Sequence, residues 1–241
     1  MKNTNTTLIV IFIVLVAGFL YYTNSNKEKT TINVNGQSTI KAEADEVSVY
    51  VGIETTELTS EASKNANSEI SDKVLAALKL AGIPESDIET SSYYIYPEYD
   101  WSNNKQDLTG YKTSNILKVT TKDFDKVGTI IDASVNAGAT TIQSINFELS
   151  QDKQNEVKTE AISKATEDAK AKAEATAQGL NAKLGKVKTV TVQDYNYYPY
   201  PIYASADGGV ALDVKRVQET VIQPSNLDVS SNVMVVFELD Q

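Results

Sequence analysis

Hydrophobic and polar positions along this chain fall into segments whose periods name their structures. Leu8 to Leu20 reads LIVIFIVLVAGFL, an unbroken run of 13 apolar residues. Val47, Val49, Val51 and Ile53 alternate with Ser48, Tyr50 and Gly52, the period of a half-buried strand. Leu58, Ala62, Ala66, Ile70, Val74, Leu78 and Ala81 then recur at three- and four-residue spacing and predict a helix. Gly82 stops it and Pro84 follows. Ser91 to Trp101 and Leu108 to Thr121 predict strands joined by a polar turn. A second helix opens at Asp123-Phe124-Asp125, with acids at its positive end, buries Val127, Ile130, Ile131 and Val135, and ends at Gly138. Thr141 to Leu149 is a strand, and Ser150 caps a long third helix over about 152–180. Its inner stripe is Val157, Ala161, Ala165, Ala169, Ala173 and Ala177, a small side chain at every fourth position, which permits close approach. Strands over 31–40, 187–194 and 229–239 complete the pattern, with Asn35-Gly36 expected to kink or bulge the first. Asn196 to Gln223 reads as irregular.

Strand pairs alternating with helices predict an α+β fold of mainly antiparallel sheets packed with helices. The order divides into two lobes. Residues 112–194 read β-α-β-α-β, which suggests a ferredoxin-like middle lobe. Residues 30–111 together with 195–241 would form the other.

The apolar run changes the topological picture. Extended from Thr6 to Tyr22 it has 17 residues, roughly 25 Å at ~1.5 Å per residue, barely the core of a bilayer. Lys2 gives a weak positive flank, and Tyr21 and Tyr22 stand where interfacial aromatics belong. Residues 1–26 are therefore read as an N-terminal hydrophobic helix and linker: an uncleaved membrane anchor bounded by Leu8 and Leu20, or, alternatively, a secretory signal. Both readings place residues 27–241 outside the cytoplasm.

Composition removes whole classes of chemistry. Among 241 residues there is no cysteine and no histidine. That excludes thiol chemistry, Cys/His zinc sites, and Ser-His-Asp triads. Only Lys2 of the 22 basic residues precedes residue 27, so 21 bases against 32 acids leave the exported part at −11. Such a body repels nucleic acid, and with Arg216 as the single arginine it has almost no bidentate phosphate clamp.

Two tyrosine-rich stretches stand out: Tyr93-Tyr94-Ile95-Tyr96-Pro97-Glu98-Tyr99-Asp100-Trp101 and Tyr195-Asn196-Tyr197-Tyr198-Pro199-Tyr200-Pro201-Ile202-Tyr203. Together they hold nine of the 13 tyrosines and the single tryptophan. Tyrosine and tryptophan join a large apolar area to a polar tip, so Tyr94, Tyr96, Tyr99, Trp101, Tyr197, Tyr198, Tyr200 and Tyr203 are candidates for a subunit contact or a ligand surface. Cross-strand aromatic pairing inside one sheet is the alternative. Glu98 and Asp100, two apart on a strand and about 6.5–7 Å between Cα atoms, imitate a glycosidase pair, but a solvated edge explains them more simply. Asp123/Asp125 and Asp45/Glu46 read as capping and turn residues rather than metal ligands.

Several stretches in sequence order resemble one known family, the SIMPL domain. They are Val34-Asn35-Gly36, Ala81-Gly82-Ile83-Pro84 to Asp87-Ile88-Glu89-Thr90, Tyr96 to Tyr99, Gly110-Tyr111, Asp123 to Gly128, Ile131-Asp132, Ala137-Gly138-Ala139, Ala165 to Ala173 and Leu184-Gly185. The resemblance covers about residues 31–239. It implies a two-lobed α+β fold, export, and large ring-like oligomers, with stress protection as a role. It supplies no catalytic residue and no cofactor. The expectation is thus a non-enzymatic, membrane-anchored, homo-oligomeric protein of the envelope or cell surface. A glycan- or peptide-binding module using the tyrosines is the alternative, and a carboxylate-dependent hydrolase the remote one.

Overall fold

The computed structural model describes Val16 and residues 30–101, 106–197, 200–202 and 226–240. In chain order these form β1 (Thr31–Glu43), β2 (Glu46–Glu57), α1 (Ser60–Leu80), a 3-10 turn (Glu85–Asp87), β3 (Ile88–Asp100), β4 (Asp107–Thr121), α2 (Lys126–Asn136), β5 (Thr141–Glu148), α3 (Gln151–Gly179), β6 (Lys183–Tyr197), β7 (Tyr200–Ile202) and β8 (Asn226–Asp240). The fold is mixed α and β, as the alternation of periods predicts. Among the described residues no helix is long and apolar enough to cross a membrane. The expected anchor, with Leu8, Leu20, Tyr21 and Tyr22, lies outside the described residues apart from Val16.

One unit comprises residues 39–161 and 195–230. Its sheet has the order β3-β4-β2-β5-β7, and all its pairings are antiparallel. β2 is central, so Val47, Val49, Val51 and Ile53 are fully buried, as their alternation predicts. Ser48 on the opposite face is fully buried too, because β4 and β5 flank the strand on both sides. The core joins these valines to Val74, Leu78, Leu117, Val119, Val127, Ile130 and Phe147. Phe124 meets Phe147 edge to face at 5.7 Å. Gly82 and Gly138 follow α1 and α2 with φ of +80° and +110°, the left-handed turn that ends a helix.

The other unit comprises residues 1–38, 162–194 and 231–241. Its core is Ala165, Ala169 and Ala173 of α3 against Val233, Val235 and Phe237 of β8. The small-residue stripe predicted for α3 is buried throughout. Its use is visible at Gly36, where an added Cβ would stand 1.9 Å from the carbonyl oxygen of Ala165. The glycine predicted as a bulge thus serves a close approach of strand to helix.

Three expectations need correction. A break between lobes at 111/112 falls inside β4; the chain divides near 38/39, 161/162, 194/195 and 230/231. Residues 112–194 do not close a ferredoxin-like lobe. β2 lies between β4 and β5, and β6 belongs to a three-stranded sheet of order β1-β8-β6. The faces of two helices agree in part: Val74 and Leu78 of α1 and Val127 and Ile130 of α2 are buried as predicted, but the first half of α1 and the end of α2 differ. In α1 the buried positions are Ser63, Asn67, Ser71, Val74 and Leu78, while Leu58 is 82 % exposed. In α2 Val135 is exposed and Ser134 is buried. In α1 polar side chains that bond strand groups, Ser63 and Asn67, take positions that an apolar pattern assigns to their neighbours.

Candidate functional site

β3 is the edge strand of its sheet, hydrogen-bonded on one side to β4. Pro97, which has no N–H, sits where only an edge strand tolerates it. Ile88 at its start packs against the core, but Tyr93, Tyr94, Ile95, Tyr96 and Tyr99 of the strand and Trp101 just beyond it are all exposed, Tyr94 by 62 % and Trp101 by 70 %. Alternation puts Tyr94 and Tyr96 on one face and Tyr93 and Ile95 on the other. Their cross-strand neighbours are Ser114, Lys112, Asn115 and Thr113 in that order. These tyrosines therefore have no aromatic partner across the strand pair, and internal aromatic pairing does not explain them. The hairpin leaves a row of large, wet, amphipathic side chains along the outer edge of the sheet, a surface that another polypeptide or a flat ligand can cover.

The second stretch is placed differently. Tyr197 is half-buried, packs against the main core, and its hydroxyl accepts the backbone N–H of Leu149 at 2.7 Å. It is part of the fold and not a surface candidate. Tyr200 stands opposite Phe147 in β7. Tyr198 and Tyr203 lie outside the described residues. β7 is at the far edge of the sheet from β3, so the two stretches do not merge into one patch on this sheet.

The carboxylates of the candidate pairs are engaged or dispersed. Glu98 faces Gly110, and a register shift follows before Asp100, which faces Asp107. Asp123 accepts the N–H of Asp125 at 3.2 Å. Asp45 accepts the N–H and hydroxyl of Ser150 at 2.7 and 2.6 Å. Burial opposes ionisation of Asp45, but these hydrogen bonds outweigh it and hold the carboxyl below its ordinary range. Among the described residues no group of three or more acidic side chains gathers as a metal site.

The face of the sheet that carries Tyr94 and Tyr96 is charged. Lys112 pairs with Glu54 at 2.6 Å and Lys118 with Glu89 at 3.5 Å. Glu46 is held above the ordinary carboxyl range by burial and by Glu148, which stands directly opposite. The helix-covered face holds a polar ladder that the apolar pattern conceals. The hydroxyl of Ser63 donates to the carbonyl of Thr55 at 2.9 Å and lies 2.8 Å from that of Thr113. The amide of Asn67 donates to the carbonyls of Ile53 and Thr113 at 2.9 and 3.3 Å. Ser71 accepts from Asn115 at 2.9 Å. The signal for it was present as Ser63, Asn67 and Ser71 at four-residue spacing.

The family model SIMPL, described as a protein of unknown function (DUF541), matches residues 32–237. The 26 kDa periplasmic immunogenic protein of Brucella melitensis biotype 1 is 31 % identical over 176 residues, 71 % of this chain and 70 % of that one. The uncharacterized protein YggE of Escherichia coli K12 is 25 % identical over 225 residues, 93 % of this chain and 89 % of its own.

Proposed function

Since the chain belongs to the SIMPL family, we propose that it is an exported, non-enzymatic protein that assembles with copies of itself outside the cytoplasm, held at the membrane by its N-terminal apolar run. Its resemblance to a periplasmic protein supports the location. The observation that carries the assembly is β3: an edge strand of 13 residues whose aromatic side chains find neither a core nor an aromatic partner across the hairpin. Burying such rings between subunits removes apolar area from water and can extend the sheet at its edge strand at the same time. A protective role of the assembled shell or ring under envelope stress accords with the family resemblance, and equal growth of deletion and parent strains under peroxide and envelope stress would count against it. The test of assembly is the solution mass of the full chain in mild detergent by light scattering. A discrete multiple of the monomer is expected, reduced by Tyr94→Ser with Trp101→Ser; a clean monomer overturns the reading.

The 70 % exposure of Trp101 favours one second reading, a glycan or peptide bound by the same hairpin. Trp101 is the only tryptophan, so its fluorescence reports the hairpin alone. Saturable quenching by a soluble cell-wall fragment, abolished by Tyr94→Ser, would move the function from assembly to binding.

A further inference from the structure

Among the described residues the two sheets end on four strands, β1 and β6 of one and β3 and β7 of the other, of which one is covered and one is short. β1 is covered by its own helix: the N–H of Gln37 donates to Asp168 at 2.8 Å and Lys172 reaches the carbonyl of Asn35 at 3.1 Å. β7 has only three residues. The other two edges are long. β3 has 13 residues and β6 has 15. Long exposed edges are what natural sheets avoid unless something pairs with them.

The two open edges differ in a complementary way. β3 carries Glu89, Glu98 and Asp100 and no base. β6 carries Lys183, Lys186 and Lys188 against the one acid Asp194. Among and after its lysines β6 carries Val187, Thr189, Val190, Thr191 and Val192, and these side chains are exposed, Val190 by 51 %. Beside the strand runs a groove of about 410 Å³, floored by Val235 and Phe237, edged by Val187 and Val190, and walled by Thr166 and Glu167 of α3. It is an apolar slot next to a basic edge strand. β3 offers acidic charge and protruding aromatic rings.

We propose that the β6 edge of one copy receives the β3 edge of a second copy, antiparallel, with Lys186 opposite Glu98 and Val190 opposite Tyr94. In that register Ser92 to Glu98 lies against Lys186 to Val192, and Lys188 stands beside Tyr96. Residues directly opposite in an antiparallel pair share a face, so Tyr94 lies over Val190 at the mouth of the groove. The partner surface is different from the donor surface. Such a head-to-tail contact repeats from copy to copy and closes into a ring when the rotation permits. The inference rests on the self-assembly reading and names the two surfaces that meet.

Because the chain has no cysteine, the test is cross-linking of the full protein carrying single engineered thiols. Ile95→Cys and Thr189→Cys occupy opposite positions of the proposed pair. Mixing the two variants and oxidising should give a disulfide-linked dimer absent from either variant alone. Lys186→Glu should weaken association at least tenfold, and Glu98→Lys in the same chain should restore it. If light scattering shows a multimer but only like-with-like thiols cross-link, or the mixture gives no dimer, the edge assignment falls and self-assembly stands. If the chain is monomeric at all concentrations, both fall together.

Discussion

Gly36 and Ala165 meet backbone to backbone: a side chain at Gly36 would put its first carbon 1.9 Å from the carbonyl oxygen of Ala165 and 2.6 Å from the nitrogen of Ala169. Neither atom belongs to a side chain that can turn aside. Gly36→Ala must therefore separate β1 from α3, and overpacking of this kind costs typically 1–3 kcal/mol or more. Thermal unfolding should show a fall of several degrees or loss of folded protein. A variant as stable as the parent would show that strand and helix are further apart.

Asp45 and Ser150 form a second fixed pair. The carboxylate is held below its ordinary range by the hydrogen bonds of Ser150, against the burial that raises it. A group whose pKa is lowered on folding stabilises the protein above its unfolded value, near 3.8, and that contribution is lost as pH falls through the folded value. Asp45→Ala should cost about 1 kcal/mol at pH 7, the worth of a helix cap. The difference from the parent should shrink in acid. A pH-independent difference in urea unfolding would mean that Asp45 acts by packing alone.

Next in sequence, Glu46 has the opposite sign. It faces Glu148 across β2 and β5, and burial and that like charge raise its pKa. A raised carboxyl favours folding when protonated and opposes it once ionised. Glu46→Gln should stabilise the protein at pH 7 by a few tenths of a kcal/mol to about 1. The gain should vanish as pH falls through the carboxyl range. Destabilisation at pH 7 would show that Glu46 makes a contact stronger than the repulsion.

Much of this architecture was legible because period and burial agree. The valine alternation of β2 and the alanine stripe of α3 describe buried faces directly. The glycine stops at Gly82 and Gly138 were readable for the same local reason. What failed was non-local. Nothing near β4 or β5 in sequence says that β2 enters between them, and β6 gives no sign that it pairs with β8. The aromatic stretches looked alike as sequence. Exposure separates them, because β3 ends its sheet while Tyr197 is captured by Leu149. In the first half of α1 the hydrophobic stripe runs one residue away from the buried one, since Ser63, Asn67 and Ser71 bond strand groups and Asn115 as an apolar face cannot, while Val74 and Leu78 are buried as the period predicts.

Asn67 tests that ladder. It is fully buried and donates to two carbonyls, those of Ile53 and Thr113. Asn67→Ala would remove two buried hydrogen bonds that tie α1 to the β2–β4 ladder and leave a cavity, at roughly 1–3 kcal/mol. Asn67→Leu should be at least as damaging, because it restores volume but not donors. If the leucine variant is as stable as the parent, the ladder contributes register and not stability.

Tyr197 and Tyr94 provide the sharpest contrast, because sequence ranks them equally and structure does not. The hydroxyl of Tyr197 is the acceptor for the N–H of Leu149, one residue before Ser150, which takes part in capping α3. Tyr197→Phe keeps the ring in the core and removes only the acceptor, so an N–H is stranded at the strand end for about 1–3 kcal/mol. Stability should fall while association of the copies stays as in the parent. Tyr94 projects from the edge strand and touches no core, so Tyr94→Ser should leave the unfolding free energy of the subunit within about 0.5 kcal/mol of the parent and reduce the mass of the assembly. Thermal unfolding and light scattering on the same two variants read both quantities. The reverse result, with Tyr94→Ser unfolding the subunit and Tyr197→Phe dissolving the assembly, would exchange the two tyrosines' roles and place the interface at the β7 edge instead.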